Sequence, residues 1–270
     1  MVSPSLTDAF QVDANLREAM RCYSQATAAG EAREYDGIAV TCSGLDYSVF
    51  NSAMLTSIVE DERDFDRRLA MAAVHYAARG VGWSCWICED QFAQDVLKRS
   101  DPIFSKYGMH LLTTAPGMVA DPLAGGGRRA AVECRRVHDA KTRFDFADVA
   151  CVVFVLPFRI SEAIYGQPGY WSSGMRGYVA YWKGKAVAVV STVLASGAVG
   201  VYSLGTLPQH QRHGVGETLL RYALADTAAE TGVARTVLQS TQAGLSLYRR
   251  MGYRTVTRFR IYDLPVGAAR

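Results

Sequence analysis

Tyr202-Ser-Leu-Gly-Thr-Leu-Pro-Gln-His-Gln-Arg-His-Gly-Val-Gly-Glu217 reads as a strand that runs into a glycine turn and opens a helix. Gly214 and Gly216 carry no side chain, so the backbone there can approach a bulky anion. The helix expected over roughly 216–230 leaves the amides of its first turn unpaired and presents the positive end of its dipole. A pyrophosphate is the natural guest of such a turn. The first expectation is therefore a cofactor held by its phosphates.

The flanking segments extend this unit. Residues 177–182, 186–194 and 198–207 read as consecutive strands, joined by tight turns at Lys183-Gly184-Lys185 and Ala195-Ser196-Gly197. Downstream come a strand at 236–239, a short helix around 245–251 and a final strand at 254–262. Upstream, a strand at 130–136 precedes a segment running to about Pro157 that reads as helix, although its Val-rich end, 149–155, equally fits a strand. This order implies a mixed central sheet flanked by helices on both faces, an α/β (α+β) class.

The first half is read from periodicity alone. Leu16, Met20 and Tyr23 mark an amphipathic helix over 14–29, and 37–42 and 47–55 are strand-like. Phe65, Leu69, Ala72 and Tyr76 share one face of a helix over 61–79 that Gly80 ends. A strand at 82–88, a helix-and-loop stretch at 92–107 and a short strand at 109–114 follow. The turn-rich run from Pro116-Gly117 through Pro122 to Gly125-Gly126-Gly127 reads as a linker, dividing the chain into units 1–122 and 123–270. A weak repeat links Ile103-Phe104 and Gly108-Met109 to Leu247-Tyr248 and Gly252-Tyr253, which points to a duplicated unit. The first copy has no glycine between Gly44 and Gly80, hence no phosphate-cradling turn.

Composition narrows the function classes. The net charge of +3 is mild, and the densest basic stretch, from Arg128-Arg129 to Arg143, is broken by Glu133 and Asp139; it reads as a solvated face, not a nucleic-acid surface. The longest apolar run, 149–158, is about half the ~20 residues a membrane helix needs, so no membrane association is expected. No basic start followed by an apolar core marks a secretory leader, and six cysteines then point to reduced thiols in the cytoplasm. Cys85-Trp-Ile-Cys88 has the spacing of half a zinc site or a redox pair, but no second pair accompanies it and it lies in a buried strand pattern. No metal site is expected.

Gln211-Arg-His-Gly214-Val-Gly216, the preceding Thr206-Leu-Pro208 and the downstream Leu247-Tyr248-Arg-Arg-Met-Gly252-Tyr253 resemble the GCN5-related N-acetyltransferase (GNAT) family over roughly 128–264. The first half looks like a degenerate copy of the same fold, giving a tandem arrangement. The resemblance implies a V-shaped opening between strands 198–207 and 236–239 that receives the pantetheine arm of acetyl-CoA. Main-chain groups of Leu204, Gly205 and Thr206 would pair with it like an added strand. The motif starting at Gln211 would hold the pyrophosphate through the amides of Arg212, His213, Gly214, Val215, Gly216 and Glu217. A strand bulge is typical of the family, and Gly205 suits one.

Acyl transfer to an amine requires loss of an amine proton, a donor to the thioester oxygen and a proton for the departing thiolate. The resemblance gives the last task to Tyr248. Its bland alternative is a core aromatic. No Asp, Glu or His occurs between Glu162 and His210, where many relatives place a glutamate. Water, Glu89 from the first half, or an acceptor needing no base would fill that role, and His210 reads as surface. Thr241 stands where many relatives carry asparagine. The expected activity is acetyl transfer from acetyl-CoA to a small-molecule amine, with the first half forming part of the acceptor pocket. Longer-chain or thiol acyl transfer and a non-catalytic acyl-CoA sensor are the alternatives.

Overall fold

Strand order is what positions every other part of this molecule. The computed structural model describes residues 4–127 and 129–265, so Arg128 of the basic stretch lies outside the described residues. The first half runs α1 (Pro4–Ser24), β1 (Glu31–Tyr35), β2 (Ile38–Cys42), β3 (Asn51–Leu55), α2 (Glu62–Ala77), β4 (Trp83–Cys88), α3 (Gln94–Lys98), α4 (Ser100–Lys106) and β5 (His110–Ala120). The second runs β6 (Glu133–Arg136), α5 (Ala140–Val153), α6 (Phe158–Tyr165), α7 (Pro168–Ser172), β7 (Met175–Trp182), β8 (Lys185–Ala195), β9 (Ala198–Thr206), α8 (Val215–Thr231), β10 (Thr236–Gln239), α9 (Leu245–Arg250) and β11 (Arg254–Leu264).

All strands join one 11-stranded sheet in the order β1-β2-β3-β4-β11-β5-β10-β9-β8-β7-β6. The order reads the same from either end about the β11–β5 pair, apart from β6. Pairing types match as well: β3–β4 and β9–β10 are parallel, whereas β4–β11 and β10–β5 are antiparallel. Each half thus sends its last strand across to the other, β11 between β4 and β5, and β5 between β11 and β10.

One face of the sheet carries a core shared by both halves, in which Leu16, Met20 and Tyr23 of α1 meet Phe146, Ile160 and Tyr170 from α5–α7. The other face carries two separate cores. Phe65, Leu69 and Tyr76 of α2 pack over β2–β4, and Leu219, Leu220 and Ala223 of α8 over β8–β10. Each fully buried leucine contributes roughly 1.5–3 kcal/mol. Asn15 of α1 fastens the halves: its Nδ2 donates to the carbonyls of Ala195 (3.0 Å) and Ala198 (2.9 Å), and its Oδ1 accepts from the Tyr202 hydroxyl at 2.7 Å.

Several expectations change. The first helix starts earlier than expected and stops at Ser24, and β1 was not foreseen. The expected linker begins inside β5: Pro116 and Gly117 pair with Arg258 and Thr257 of β11. The Val-rich end of 149–155 is helical to Val153, its helix opened by a capping box between Asp139 and Thr142. Cys85 and Cys88 lie in different cores on opposite faces of β4, so they cannot share an ion or a bond. Burial pushes the Cys88 thiol up to about 12.

Candidate functional site: a cleft between splayed strands

β9 is nine residues long and β10 only four, and the two pair at just Val199–Thr236 and Gly200–Val237. Beyond that point they diverge, leaving the β10-facing edge of β9 from residue 201 to 206 open. A register shift against β8 between Val189 and Ser191 places Ser203 and Leu204 in a bulge. The residue in left-handed conformation there is Ser203 (φ 51), not Gly205 as the sequence implied. Gly205 is glycine for a different reason, since a Cβ would stand 2.4 Å from Val153 Cγ1.

The turn after β9 is shaped to present amides. Arg212 (φ 63) and Gly214 (φ 82) are left-handed among ordinary neighbours, an alternation that turns successive N–H groups toward one side. α8 has Gly214 as its N-cap and no side-chain cap. The amides of His213, Gly214, Val215, Gly216 and Glu217 consequently have no hydrogen-bond acceptor among the described residues. Gln211 anchors the turn, its Nε2 donating to the Thr206 carbonyl at 3.1 Å. The Glu217 carboxylate is buried and paired with Arg221 at 2.9 Å, and Arg221 also donates to the Ala124 carbonyl, drawing the Gly125–Gly127 loop over the helix start.

Strand opening and cradle belong to one cleft of about 1430 Å³. That exceeds the ~300–1,000 Å³ of a pocket for one small ligand and leaves room for two reactants. Leu204, Gly205, Thr206, Gln211, Arg212, Gly214, Val215, Gly216, Glu217 and Tyr248 all line it, whereas the exposed His213 contributes its backbone but is not part of the lining. Arg221 and Arg250 add positive charge beside the cradle. Sequence reading passed over both, because nothing local marks a helix arginine as lining this cleft.

Tyr248 sits on α9 with its ring 5.5 Å from Tyr253, edge to face. Its hydroxyl makes no hydrogen bond among the described residues, and burial raises its pKa well above the ordinary phenol value. It stays protonated and able to donate over the whole physiological range. Thr241 lines the cleft nearby. Two other expectations shift. Glu89 is not in the cleft but is held by Arg260 at 2.8 Å, and His210, read as surface, lines the cleft mouth beside Trp182.

The first half supplies the opposite wall through Leu16, Met20, Tyr23, Tyr47, Phe50 and Trp86. The hydroxyls of Tyr23 and Tyr165 both meet Ser203 Oγ, at 2.8 and 3.1 Å. The first-half wall residues lie more than a hundred positions from the cradle, and no motif in the sequence connects them.

Residues 173–255, which contain the cradle and Tyr248, match the family model for the acetyltransferase (GNAT) domain. This segment is a GNAT domain. The fold likeness covers nearly the whole chain. A GCN5-related N-acetyltransferase from Kribbella flavida is 18% identical with a TM-score of 0.69, over 94% of this chain and 97% of that one. A tandem GNAT protein from the clavulanic acid biosynthesis pathway gives 12% identity and a TM-score of 0.56 over 85% and 78%. A GCN5-related N-acetyltransferase from Sphaerobacter thermophilus gives 14% and 0.56 over 85% and 77%. No curated protein matches the chain significantly in sequence.

The first half follows the topology of the GNAT domain but has its equivalent cleft filled. The short helix after the parallel pair ends alike in both halves: Met109 N donates to Phe104 O at 3.1 Å, as Tyr253 N does to Tyr248 O at 3.0 Å. Phe104, in the tyrosine's place, has no hydroxyl and is fully buried. The parallel strands are rejoined by a bridge between Val59 and Phe92. At the helix start, Asp61 caps the Asp64 amide with its own carboxylate, and Glu62 and Asp64 add negative charge. Arg68 seals the turn by donating to the carbonyls of Gly37, Ser57 and Ile58 at 3.1, 2.9 and 3.0 Å.

Two expected results follow from this contrast. Calorimetric titration with CoA should give one equivalent per chain; two equivalents of similar affinity would show that the first half also holds a cradle. Arg68→Met should cost about 3 kcal/mol of unfolding free energy, because one buried and two part-buried carbonyls lose their donor and Asp64 loses its ion-pair partner. Urea unfolding with an unchanged midpoint would show that Arg68 does not hold the turn.

Proposed function

We propose that the chain transfers the acetyl group of acetyl-CoA to the nitrogen of a small-molecule amine. The observation that carries this reading is the row of amides at Gly214–Glu217, without an acceptor among the described residues, opening onto the same cleft as the Tyr248 hydroxyl, which has no partner among them either. The residues fit a pantetheine-linked diphosphate: the cradle has no side-chain cap, Gly216 leaves space beside Thr206, and Arg221 and Arg250 stand nearby. The open edge of β9 offers the thioester arm a strand to pair with. Acetyl-CoA supplies the activated acyl group.

The chain's own groups divide the remaining work. In this reading backbone amides around the Ser203–Leu204 bulge donate to the carbonyl oxygen as it gains charge; the register shift there supports it. Tyr248 holds a proton for the leaving sulfur. The wall from the first half orients the acceptor. Because the described structure has no membrane-crossing helix and its cysteines are free, a cytoplasmic setting fits this chemistry.

Calorimetry with acetyl-CoA, followed by CoA-thiol release in the presence of amines, tests the reading. Binding with one site and acceptor-dependent CoA release are expected. Binding without release for any amine or thiol would instead make the protein an acyl-CoA sensor, and release with thiols alone would make it a thiol acyltransferase. Both alternatives rest on one observation: among the described lining residues the one carboxylate, Glu217, is paired with Arg221.

A further inference from the structure

The acceptor side of the cleft is apolar, its rings interspersed with Leu16, Met20, Val49, Val153 and Leu156. Tyr23, Tyr47, Phe50 and Tyr165 form a contiguous cluster with centroids 5.3 to 6.4 Å apart, and Trp86 and Phe154 complete the wall. Near the bulge, the hydroxyls of Tyr23 and Tyr165 are both engaged by Ser203 Oγ. The charged side chains lining the cleft are Arg212, Glu217, Arg221 and Arg250, with His210 at the mouth, and all belong to the cradle side. Glu217 is the sole carboxylate among them and is already paired with Arg221.

Such a wall is hostile to an ammonium ion. An alkyl amine has a pKa near that of lysine, ~10.4, so only about one part in a thousand is neutral at pH ~7.4. The charged form would enter without a counter-ion, and a cation–π contact returns only a fraction of that desolvation cost. Among the described lining residues the one carboxylate, Glu217, is already paired with Arg221, and His210 lies on the cradle side, away from the acceptor wall. An aromatic amine escapes both problems. Its nitrogen lone pair is delocalised into the ring, it is uncharged at neutral pH, and its flat face stacks on tyrosine, phenylalanine and tryptophan.

We infer that the acceptor is an uncharged aromatic primary amine, bound in the ring-lined wall shared by the two halves. The inference rests on the acetyltransferase reading above and names the substrate class of that same cleft. The nitrogen lone pair forms a bond to the thioester carbonyl carbon, and the carbon–sulfur bond breaks with its electron pair going to sulfur. One N–H proton leaves to water, while the thiolate takes the Tyr248 proton, which water later restores. The products are the N-acetyl arylamine and CoA thiol.

The isomers 4-methylaniline and benzylamine separate the possibilities, because they have the same atoms and nearly the same size but differ in charge. With the full chain and saturating acetyl-CoA near pH ~7.5, kcat/KM for 4-methylaniline should be at least about ten-fold higher. Its rate should be flat between pH ~6.5 and ~9, whereas any benzylamine rate should rise about ten-fold per pH unit as the free amine forms. Val49→Glu, which adds a carboxylate to a half-exposed position on the acceptor wall, should shift the ratio toward benzylamine by about ten-fold or more. Preference for benzylamine in the native chain, an unmoved ratio in Val49→Glu, or acetyl-CoA binding with neither isomer acetylated would overturn the acceptor class. Failure to bind acetyl-CoA at all would remove the underlying acetyltransferase reading along with it.

Discussion

Gly216→Glu should abolish acetyl-CoA binding while leaving the fold intact. Gly216 lies in the first turn of α8, two residues after the N-cap, and a Cβ there would stand 3.0 Å from Thr206 Oγ1. That contact asks for a shift of a few tenths of an ångström, which a hydroxyl side chain can give. The remainder of a glutamate must then point into the cradle. Its carboxylate would occupy the unpaired amides and repel the phosphates they are shaped to receive. Stability should not suffer: an acid at a helix N-terminus gains ~0.3–1 kcal/mol from the dipole, and replacing glycine in a helix gains a similar amount. The expected result is a Kd weakened by more than ~100-fold, worth over ~2.7 kcal/mol, with Tm unchanged or slightly raised. Calorimetry and thermal melting read the two effects separately. A Kd within a few-fold of the native value would place the phosphate elsewhere.

Tyr248→Phe should act on turnover and spare affinity. The phenol is buried, so phenylalanine keeps the packing against Tyr253 and against Gly244, whose Cα side lies close to the ring. Only the hydroxyl is lost, and it has no structural partner to leave unsatisfied. If it donates to the leaving sulfur, kcat should fall by ~10²–10⁴, the usual range for a positioned acid. KM for acetyl-CoA should change by no more than a few-fold. The pH profile supplies a second check. Desolvation raises the folded-state pKa of Tyr248, so the acid form persists past the ordinary value of ~10, and native kcat should show no alkaline decline from this group below that pH. Unchanged kcat in the variant would make Tyr248 a core aromatic and nothing more.

Both predictions concern a segment whose meaning is local. The run from 202 to 217 was readable because a strand period, two glycines and an amphipathic helix follow one another within a few turns of chain. No distant residue is needed to make those amides unpaired. Periodicity likewise placed α2 and β4, since Phe65, Leu69, Ala72 and Tyr76 repeat at helical spacing and Cys85 and Cys88 fall on opposite sides of a strand. The repeat between Phe104 and Tyr248 was visible as a pattern too, because each sits in the same helix-ending turn with a left-handed glycine at 108 or 252.

Where residues answer to distant neighbours, the sequence misleads. Pro116-Gly117 has turn composition yet lies in the middle of β5, because a Cβ on Gly117 would meet Thr257 Cγ2 at 2.4 Å and Phe259 at 2.9 Å. Glycine is there for close packing under β11, a strand some 140 residues later. Gly205 follows the same logic against Val153, while the bulge it was expected to make falls on Ser203.

By itself, the sequence determined that one half of this protein carries a strand, a glycine turn and a helix followed by the Leu247–Tyr253 element, and that the other half has no glycine between Gly44 and Gly80 and carries Phe104 in place of the tyrosine. The tertiary structure decided that each half lends its last strand to the other, and that α1, the segment around Phe50 and Trp86 close the cleft opposite that turn. Short-range geometry is written in neighbouring residues and survives reading one window at a time. A wall assembled from α1, β4, α6 and β9 has no window of its own, because only packing brings those side chains within contact distance.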